Sequence, residues 1–479
     1  MSYTFVMVTA TLDPEFLKAF RSGTLTEELA DAFLHRDPHE LRLLLIQLSL
    51  TISHKNKPGP HQPSSTVPTY EKPTKKKRKS KTGAKPGHEG HSRRIPEVID
   101  RYEEHQLPQC PCCGGKLHRT KNTRKRIIED IAEDTQFETT EHTIHRDWCP
   151  NCKKQVEPIV PDALPNNTIG HRTVVLTAWL HYGLGTTASQ ILEIVNGHLQ
   201  MPLSEGGLID NWHRLSDIFF PWYEEIRLDC LDSPVLHADE TGWRVCGDSW
   251  WLWCACTKRS TYYWIDDDRG HAALNEFFTQ EFEGILVTDF WKAYNAFAPN
   301  QQKCWAHLLR DVKEIDTGPD PGDDWRSFSK KLKRLFGDGV RLKLARDGLS
   351  AEVFDLRLSY LHARLGELSR YEDECPHVVR LAKRLARECD SLLMFVEFVD
   401  VEPTNNFAER EIRPAVQMRK NSYGCMSEAG SVTRSILMSI YRTLKQRGLD
   451  PLKVVEDALR IFVAERRLPP LPEPASSGD

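Results

Sequence analysis

Short apolar runs bounded by turn residues fill the middle of the chain and predict a group of β-strands. The four runs cover residues 235–243, 249–257, 261–265 and 284–288. The second run contains WWLWCAC at 250–256, which is apolar at consecutive positions, as expected for a strand that is covered on both faces. A helical stretch at 272–278 separates the third run from the fourth, and residues 302–306 are a candidate fifth strand.

Helical periodicity predicts helices on both sides of this strand-rich part. Within 1–57, a leucine stripe fits either a small helical hairpin or a self-association surface. Residues 165–230 also have a helical pattern, with a break at 204–207. The break would suit a helix-turn-helix with 208–216 as its second element, although a plain helical linker domain explains the same pattern.

The chain is predicted to have several units, because 479 residues are too many for one hydrophobic core. We expect a multidomain α+β protein with a helical N-terminal region, a basic disordered linker, a zinc-ribbon-like domain and a helical, candidate DNA-binding domain. These units are followed by an α/β core, which a helical insertion interrupts, and by a helical C-terminal tail. In this order, the units cover residues 1–57, 58–96, 97–161, 165–230, 232–311 with 399–424, 312–398, and 425–479.

Composition and charge are those of an ordinary soluble protein. The charged fraction of 28% and the net charge of -4 give no whole-chain signature of nucleic-acid binding, so any such signature must be local. Thirteen cysteines, four of them in two CxxC pairs, favour a reducing compartment over a disulfide framework. The sequence has neither a basic leader nor an apolar run that could span a bilayer, so we expect a cytoplasmic protein without a membrane partner.

The linker at 58–96 carries a dense basic run and almost no apolar residues, so we expect it to be disordered alone. A flexible polycation can neutralise several DNA phosphates at once, which gives salt-sensitive affinity without sequence preference. A solvated linker and a nuclear address are the alternative interpretations. The predicted DNA-binding residues of this segment are Lys75, Lys76, Lys77, Arg78, Lys79, Lys85, Arg93 and Arg94.

Two CxxC pairs in the next unit predict one zinc site. The predicted ligands are Cys110, Cys113, Cys149 and Cys152. Four thiolates give the tetrahedral geometry that Zn2+ prefers and leave no open position, so the zinc would be structural. Cys112 is a spare thiol that could replace Cys110, and ordinary free or buried thiols are the alternative to a zinc site. Strands at 126–131 and 139–144 are expected to fill the gap between the pairs.

Three carboxylates are the candidate catalytic residues. Asp239 and Asp289 each end or follow an apolar run that predicts a buried strand, and Glu409 lies on the opening turns of a predicted helix. Carboxylates gathered at one place repel each other, and hard divalent cations between them make such a cluster tolerable. We therefore expect two Mg2+ or Mn2+ ions and the phosphodiester displacement that a two-metal carboxylate site supports.

Glu409 also has a plainer interpretation. Asn405, Glu409 and Arg413 share one face of the predicted helix, with Thr404 or Asn405 as its N-cap. Spacing alone favours an ion pair between Glu409 and Arg413, and only the surrounding motif favours a catalytic role.

Other polar residues near the predicted strands have two interpretations each. His307 and Arg310 follow the candidate fifth strand and are candidate contacts for a DNA phosphate, although a core histidine and a surface arginine fit equally well. Asp266, Asp267 and Asp268 follow the third strand, and we interpret them as turn residues rather than metal ligands.

Short motifs surround each of these candidate residues. The four in the strand-rich part and beyond are HADETGW at 237–243, TDFWKAY at 288–294, CWAHLLR at 304–310 and NNFAER at 405–410. KPGHEGH at 85–91, the paired CxxC motifs and RKNSYG at 419–424 accompany them. In their joint order, over nearly the whole chain, these motifs resemble the transposases of the insertion-sequence-66 family.

The resemblance implies a DDE-type DNA transposase with Asp239, Asp289 and Glu409 as its metal-binding triad, although Glu411 lies close to Glu409. The strand order resembles the ribonuclease H-like fold, in which the first and fourth strands lie side by side and would bring the two aspartates together. The resemblance also implies double-stranded DNA partners (transposon ends and target), a homo-oligomer that bridges two ends, and accessory proteins of the same element.

Two other functions fit the same residues. A ribonuclease H-like nuclease would cleave its substrate without strand transfer, because the same carboxylates would activate water alone. A zinc-containing DNA-binding regulator would keep the basic linker and the zinc domain but have an inert acidic site.

Overall fold

The computed structural model describes residues 137, 139–144, 147–151, 153–156, 159–318, 321–372 and 374–475. The predicted N-terminal helices at 1–57 and the basic linker at 58–96 lie outside the described residues. So do the predicted strand at 126–131 and the cysteines Cys110, Cys113 and Cys152.

The described residues contain seven β-strands and twelve α-helices. The strands are β1 (Asp147–Cys149), β2 (Lys154–Val156), β3 (Val235–Val245), β4 (Asp248–Cys256), β5 (Thr261–Asp266), β6 (Ile285–Thr288) and β7 (Gln301–Lys303). The helices are α1 (His171–Ala178), α2 (Ala188–Leu192), α3 (Glu205–Leu231), α4 (His271–Phe277), α5 (Trp305–Asp316), α6 (Gly322–Leu344), α7 (Ala351–Ser369), α8 (Pro376–Arg387), α9 (Met394–Glu397), α10 (Asn406–Ser422), α11 (Glu428–Gln446) and α12 (Pro451–Glu465). Short π-helical or 3-10 segments cover Trp179–Gly183, Glu193–His198, Lys292–Ala296, Arg346–Gly348 and Cys389–Ser391.

A mixed sheet with the strand order β5-β4-β3-β6-β7 organises the fold. β3, β4 and β5 form an antiparallel meander. Helix α4 follows the meander, and the chain then returns so that β6 pairs in parallel with β3. The candidate fifth strand is present as β7, parallel to β6, although it ends at Lys303 rather than at 306.

Helices cover both faces of the sheet, and β6 contributes to the core on each face. Leu286 packs in one core with residues of α3, α10 and α11. Ile285 and Val287 pack in a second core with α5 and the predicted helical insertion, α6 to α9. Because successive residues of a strand point to opposite faces, the insertion lies on one face of the sheet and the helices around α3 lie on the other.

Helix α11 belongs to the core rather than to a peripheral tail. It packs along β5, which is an edge strand with unpaired backbone groups. The backbone N–H of Tyr263 donates to Ser439 Oγ (2.8 Å), and that of Thr261 donates to Thr443 Oγ1 (3.1 Å). The helix thus supplies acceptors that the edge of the sheet would otherwise lack.

Two local predictions differ from the structure. Residues 208–216 lie in a helix that begins after a break, as predicted, but this helix, α3, is longer than the predicted second element and extends from Glu205 to Leu231. Its side chains Trp212 and Phe219 are buried in the core instead. Residues 139–144 are not in a strand, and the strands of this region are β1 and β2.

The end of α10 is joined to the end of β3 through Gly424. This glycine has a φ of 134°, and a Cβ atom there would overlap the carbonyl oxygen of Arg244. The close approach allows Cys425 N–H to donate to Arg244 O (2.8 Å) and Cys246 N–H to donate to Cys425 O (3.0 Å). The C-terminal end of α10 is therefore fixed against the sheet.

In the part of the chain that the structure describes, every helix is too short or too polar to cross a lipid bilayer.

Candidate functional site

Asp239 lies in β3, and Asp289 directly follows β6, the neighbouring strand. β3 and β6 are parallel, and their paired register ends with His237 opposite Val287. Each aspartate lies two residues beyond this pair, Asp239 in the middle of β3 and Asp289 after the last residue of β6. The charge of Asp289 raises the pKa of Asp239, so the two carboxylates are close to each other.

The environment of Asp239 is negatively charged. Removal from water raises the pKa of Asp239 well above its ordinary value, and the nearby charges of Glu240, Asp289 and Glu409 raise it further. A hydrogen bond from the Glu240 backbone N–H to Asp239 Oδ1 (3.0 Å) partly opposes these effects. The carboxylates that the sequence singled out are thus close enough to repel each other.

Glu409 reaches this place because both ends of α10 are bonded to β3. Near the start of the helix, Asn405 Nδ2 donates to Ala238 O (2.7 Å). Near its end, Arg419 Nη1 donates to Thr241 Oγ1 (3.2 Å) and to the carbonyl of Gly242. Glu409 lies in the first turn of α10, on the side that faces Asp239.

The immediate surroundings of Glu409 favour the catalytic interpretation over the intrahelical ion pair. Within the described residues, the ion-pair contact of Glu409 is with His307, whose Nδ1 lies 3.9 Å from Glu409 Oε1, and not with Arg413. Glu409 Oε1 is buried and accepts no hydrogen bond from the described residues. Glu411 is oriented differently, because its carboxylate is paired with Arg442 of α11.

The sequence predicted a catalytic role for Asp239 but none for its neighbour Glu240. Glu240 Oε2 accepts from the Tyr294 hydroxyl (2.7 Å), and Oε1 accepts from Arg269 Nη2 (2.9 Å). The Arg269 guanidinium lies 4.3 Å from the ring centres of both Trp251 and Trp291. Desolvation, with a contribution from the charge of Asp289, raises the pKa of Glu240 to about 7 despite these partners.

Helix α5 begins beside Glu409. His307 lies in its first turn, and Arg310 is exposed one turn later. Single ligand atoms of Cys304, His307 and Glu409 lie within 4.8 Å of one another. The sequence named His307 but not Cys304, which is buried at the junction between β7 and α5.

The acidic cluster after β5 is a turn. Asp266 Oδ1 accepts from the backbone N–H of Asp268 (2.6 Å). Asp268 Oδ2 accepts from the N–H of Ala272 in the first turn of α4 (3.1 Å). Both carboxylates therefore satisfy local backbone donors, as expected of turn residues.

The donor set beside the end of β6 and the middle of β3 fits a hard divalent cation. Carboxylate oxygens are the ligands that Mg2+ and Mn2+ prefer. Each of the nearby charges that most affects Asp239 is negative, and the buried Oε1 of Glu409 accepts no hydrogen bond from the described residues. A bound cation would relieve the repulsion among Asp239, Asp289 and Glu409.

Cys149, the first cysteine of the second CxxC pair, ends a strand of a β-hairpin. β1 ends at Cys149, β2 begins at Lys154, and these two residues are opposite each other in the antiparallel pair. Lys153 has a positive φ of 52°, which closes the turn. The remaining predicted zinc ligands, Cys110, Cys113 and Cys152, lie outside the described residues.

Two family models match the chain. The model described as "zinc-finger binding domain of transposase IS66" matches residues 108–153, a range that contains all four predicted zinc ligands. The model described as "Transposase IS66 family" matches residues 167–433, which include the three carboxylates. The first match supports bound zinc, and the second covers more than half of the chain.

Similar proteins occur in Sinorhizobium fredii. "Uncharacterized protein y4qI" is 29% identical over 44% of this chain and 43% of its own length. "Uncharacterized protein y4jD" is 23% identical over 77% of this chain and 78% of its own length. "Uncharacterized protein y4jO" is 37% identical over 31% of this chain and 41% of its own length. The match therefore spans less than half the length of the first and third relatives.

Proposed function

The chain belongs to the IS66 transposase family, and we propose that it is a DDE-type transposase that cuts DNA at the ends of a mobile element and joins those ends to target DNA. In this proposal, Asp239, Asp289 and Glu409 bind the divalent ions of the active site. The main support is the position of the two aspartates, one in β3 and the other directly after the neighbouring parallel strand β6, with Glu409 close enough to raise the pKa of Asp239.

The strand order supports a ribonuclease H-like catalytic core. An antiparallel meander is followed by a helix and by two parallel strands, and the first and fourth strands are neighbours. Helices α6 to α9 form an insertion between β7 and α10, the helix that carries Glu409. In this arrangement the insertion packs with β6 and α5 in the second core, and α10 returns to β3.

The chain's own residues would hold and orient the reacting groups. Bound Mg2+ or Mn2+ would supply Lewis-acid activation of the attacking oxygen and stabilise the leaving oxygen. The carboxylates of Asp239, Asp289 and Glu409 would hold the positively charged ions beside the end of β6. His307 and Arg310, in the first two turns of α5, would contact the substrate phosphate, where the helix N-terminus also favours negative charge.

Two phosphodiester exchanges complete the proposed reaction. In the first, a water oxygen bonds to phosphorus at the element end and the P–O3′ bond breaks, which leaves a 3′-hydroxyl and a 5′-phosphate. In the second, that 3′-hydroxyl oxygen bonds to phosphorus in the target, and the target's own P–O3′ bond breaks. Holding both DNAs on one protein assembly would make the second step effectively intramolecular.

The proposed partners are the two element ends, the target duplex, a second copy of the chain that bridges the ends, and accessory proteins of the same element. The basic residues of the linker, Lys75 to Lys79, Lys85, Arg93 and Arg94, would add affinity without sequence preference, because they neutralise phosphates. The zinc domain would place this linker relative to the catalytic core.

The proposal is tested with purified full-length protein, duplexes that carry the element ends, and a supercoiled target plasmid in Mg2+. We expect nicked end duplexes and plasmid molecules covalently joined to them, and neither product with Asp239→Asn. Nicking without any joined product would instead indicate a nuclease. End binding with no cleavage in the wild type, and the same binding by Asp239→Asn, would indicate a DNA-binding regulator.

A further inference from the structure

Asn405 lies at the junction of the three segments that carry the candidate carboxylates. Its side chain is 1% exposed. Nδ2 donates to Ala238 O (2.7 Å), the carbonyl immediately before Asp239, and Oδ1 lies 3.3 Å from His237 Nδ1. The backbone carbonyl of Asn405 accepts from Glu409 N–H (3.1 Å). Asn405 therefore forms hydrogen bonds with the backbone next to Asp239 and with the backbone of Glu409.

Cys304 extends these contacts to the third carboxylate. The Asn405 backbone N–H donates to Cys304 Sγ (3.1 Å). The Cys304 backbone N–H in turn donates to the carbonyl of Thr288 (2.9 Å), the residue immediately before Asp289. A continuous series of hydrogen bonds thus runs from the peptide before Asp239, through Asn405 and Cys304, to the peptide before Asp289.

The side chain of Asn405 does not cap the N-terminus of α10. Asn405 is the N-cap residue of α10, and an asparagine there usually accepts a hydrogen bond from the first turn, which stabilises a helix by about 1 kcal/mol. In α10 the side chain makes no such bond. Instead the side chain contacts Ala238 of β3, which is 167 residues earlier in the sequence. This contact fixes the position of α10 against the sheet and does not stabilise the first turn of the helix.

We propose that Asn405 and Cys304 are positioning residues that fix the mutual distances of Asp239, Asp289 and Glu409 and so set the affinity of the active site for divalent ions. This inference rests on the proposed function. The amide supplies a donor for Ala238 O and an acceptor toward His237 from two separate atoms of one short side chain, which a single hydroxyl oxygen cannot do. Aspartate has the same shape but, when ionised, places a lone pair against that carbonyl.

The proposal is tested by measuring Mn2+ binding in the absence of DNA, together with Mn2+-dependent cleavage of an element-end duplex. The variants are Asn405→Asp, Asn405→Ser and Cys304→Ala, and Asn406→Asp is the matched control because Asn406 is the exposed neighbour in the same motif. DNA affinity and the melting temperature are measured alongside, so that a folded variant can be distinguished from an unfolded one.

We expect each positioning variant to weaken Mn2+ binding about 10-fold to 100-fold, as for outer-shell partners of metal ligands. The cleavage rate at low Mn2+ should fall similarly, and high Mn2+ should restore much of it, while DNA affinity stays within about 2-fold. Asn406→Asp should match the wild type. A merely structural role would lower the melting temperature and every activity together, without any rescue by Mn2+.

The outcomes separate this inference from the function on which it rests. If the wild type binds Mn2+ at a site lost in Asp239→Asn, and a folded Asn405 or Cys304 variant binds it equally well, the positioning role is wrong and the proposed function stands. If the wild type has no Mn2+ site that depends on Asp239, both are wrong. Should the Asn405 variants fail to fold, Cys304→Ala alone decides between these results.

Discussion

Glu411 of α10 forms an ion pair with Arg442 of α11. Glu409, only two residues earlier, faces Asp239 instead. Two residues correspond to about 200° around a helix, so neighbouring glutamates of one motif have different surroundings. The structure therefore distinguishes the two acidic residues that the sequence left close together.

This difference predicts opposite effects of two matched substitutions. Glu411→Gln should lower the free energy of unfolding by about 1–3 kcal/mol, because it leaves the Arg442 guanidinium without its charged partner. The protein that remains folded should cleave DNA at nearly the wild-type rate. Denaturant unfolding and single-turnover cleavage measure these two quantities. Equal loss of cleavage in Glu411→Gln would show that Glu411 takes part in the chemistry.

Glu409→Gln should have the reverse effect. Cleavage should fall roughly 1000-fold, since loss of several kcal/mol of transition-state stabilisation corresponds to that factor. The free energy of unfolding should change little, because Glu409 Oε1 accepts no hydrogen bond within the described residues. A Glu409→Gln protein that cleaves at the wild-type rate would exclude Glu409 as a ligand.

Asp239→Asn should stabilise the metal-free protein. The substitution removes a desolvated negative charge that lies beside the charges of Glu240, Asp289 and Glu409. Relief of this repulsion should raise the free energy of unfolding in EDTA by about 1–2 kcal/mol. Mn2+ should then raise the melting temperature of the wild type but not of the variant, as thermal unfolding with and without the ion would show.

Acid should destabilise the fold through His181. Burial, aided by the charge of Arg434, lowers the pKa of His181 to about 3. The unfolded chain takes up a proton below about pH 6.5, whereas folded His181 stays neutral, so stability is present above pH 6.5 and is lost as the pH falls. Between pH 6.5 and 4.5 this residue should cost about 2 kcal/mol.

Denaturant unfolding at several pH values tests this effect. His181→Asn should be less stable than the wild type at pH 7, since it loses the acceptor for Arg434 Nη2 (2.8 Å). Its stability should nevertheless fall less steeply with acid. The exposed His198→Asn should keep the wild-type slope. Equal slopes in all three proteins would mean that His181 does not stay neutral in the folded state.

Zinc removal should affect the zinc domain and leave the catalytic core folded. The purified chain should contain about one Zn2+ that is lost in Cys149→Ser, because three thiolates bind the ion more weakly than four. Elemental analysis measures the metal, and the main thermal transition reports the core around α3 and β3. A core transition that disappears together with zinc would show that the two units do not fold independently.

Local patterns were sufficient to predict the strands β3 to β6, but not β1 and β2. β3 to β6 follow apolar runs with clear turn residues between them, and such runs are governed by nearby sequence. The break at 204–207 also had a real cause, since Ser204 caps α3 by accepting from the N–H of Gly207 (3.1 Å). It marks the start of a helix, and the length of α3 follows from packing that no short window of sequence contains.

The supporting residues of the candidate site could not be predicted in this way. The contact between Asn405 and Ala238 joins residues 167 positions apart, and the contact between Asn405 and Cys304 joins residues 101 positions apart. The adjacent asparagines of the NNFAER motif are chemically identical in the sequence. Only the return of α10 to β3 buries Asn405 and leaves Asn406 exposed.

The most direct test of the central claim is a calorimetric Mn2+ titration of the wild type and of Asp239→Asn, Asp289→Asn and Glu409→Gln, with Glu411→Gln as the control. If the three carboxylates form one site, each of the three variants should lose the same Mn2+ binding event, and Glu411→Gln should retain it. Unchanged Mn2+ binding in Glu409→Gln, with loss in both aspartate variants, would contradict a site built from all three.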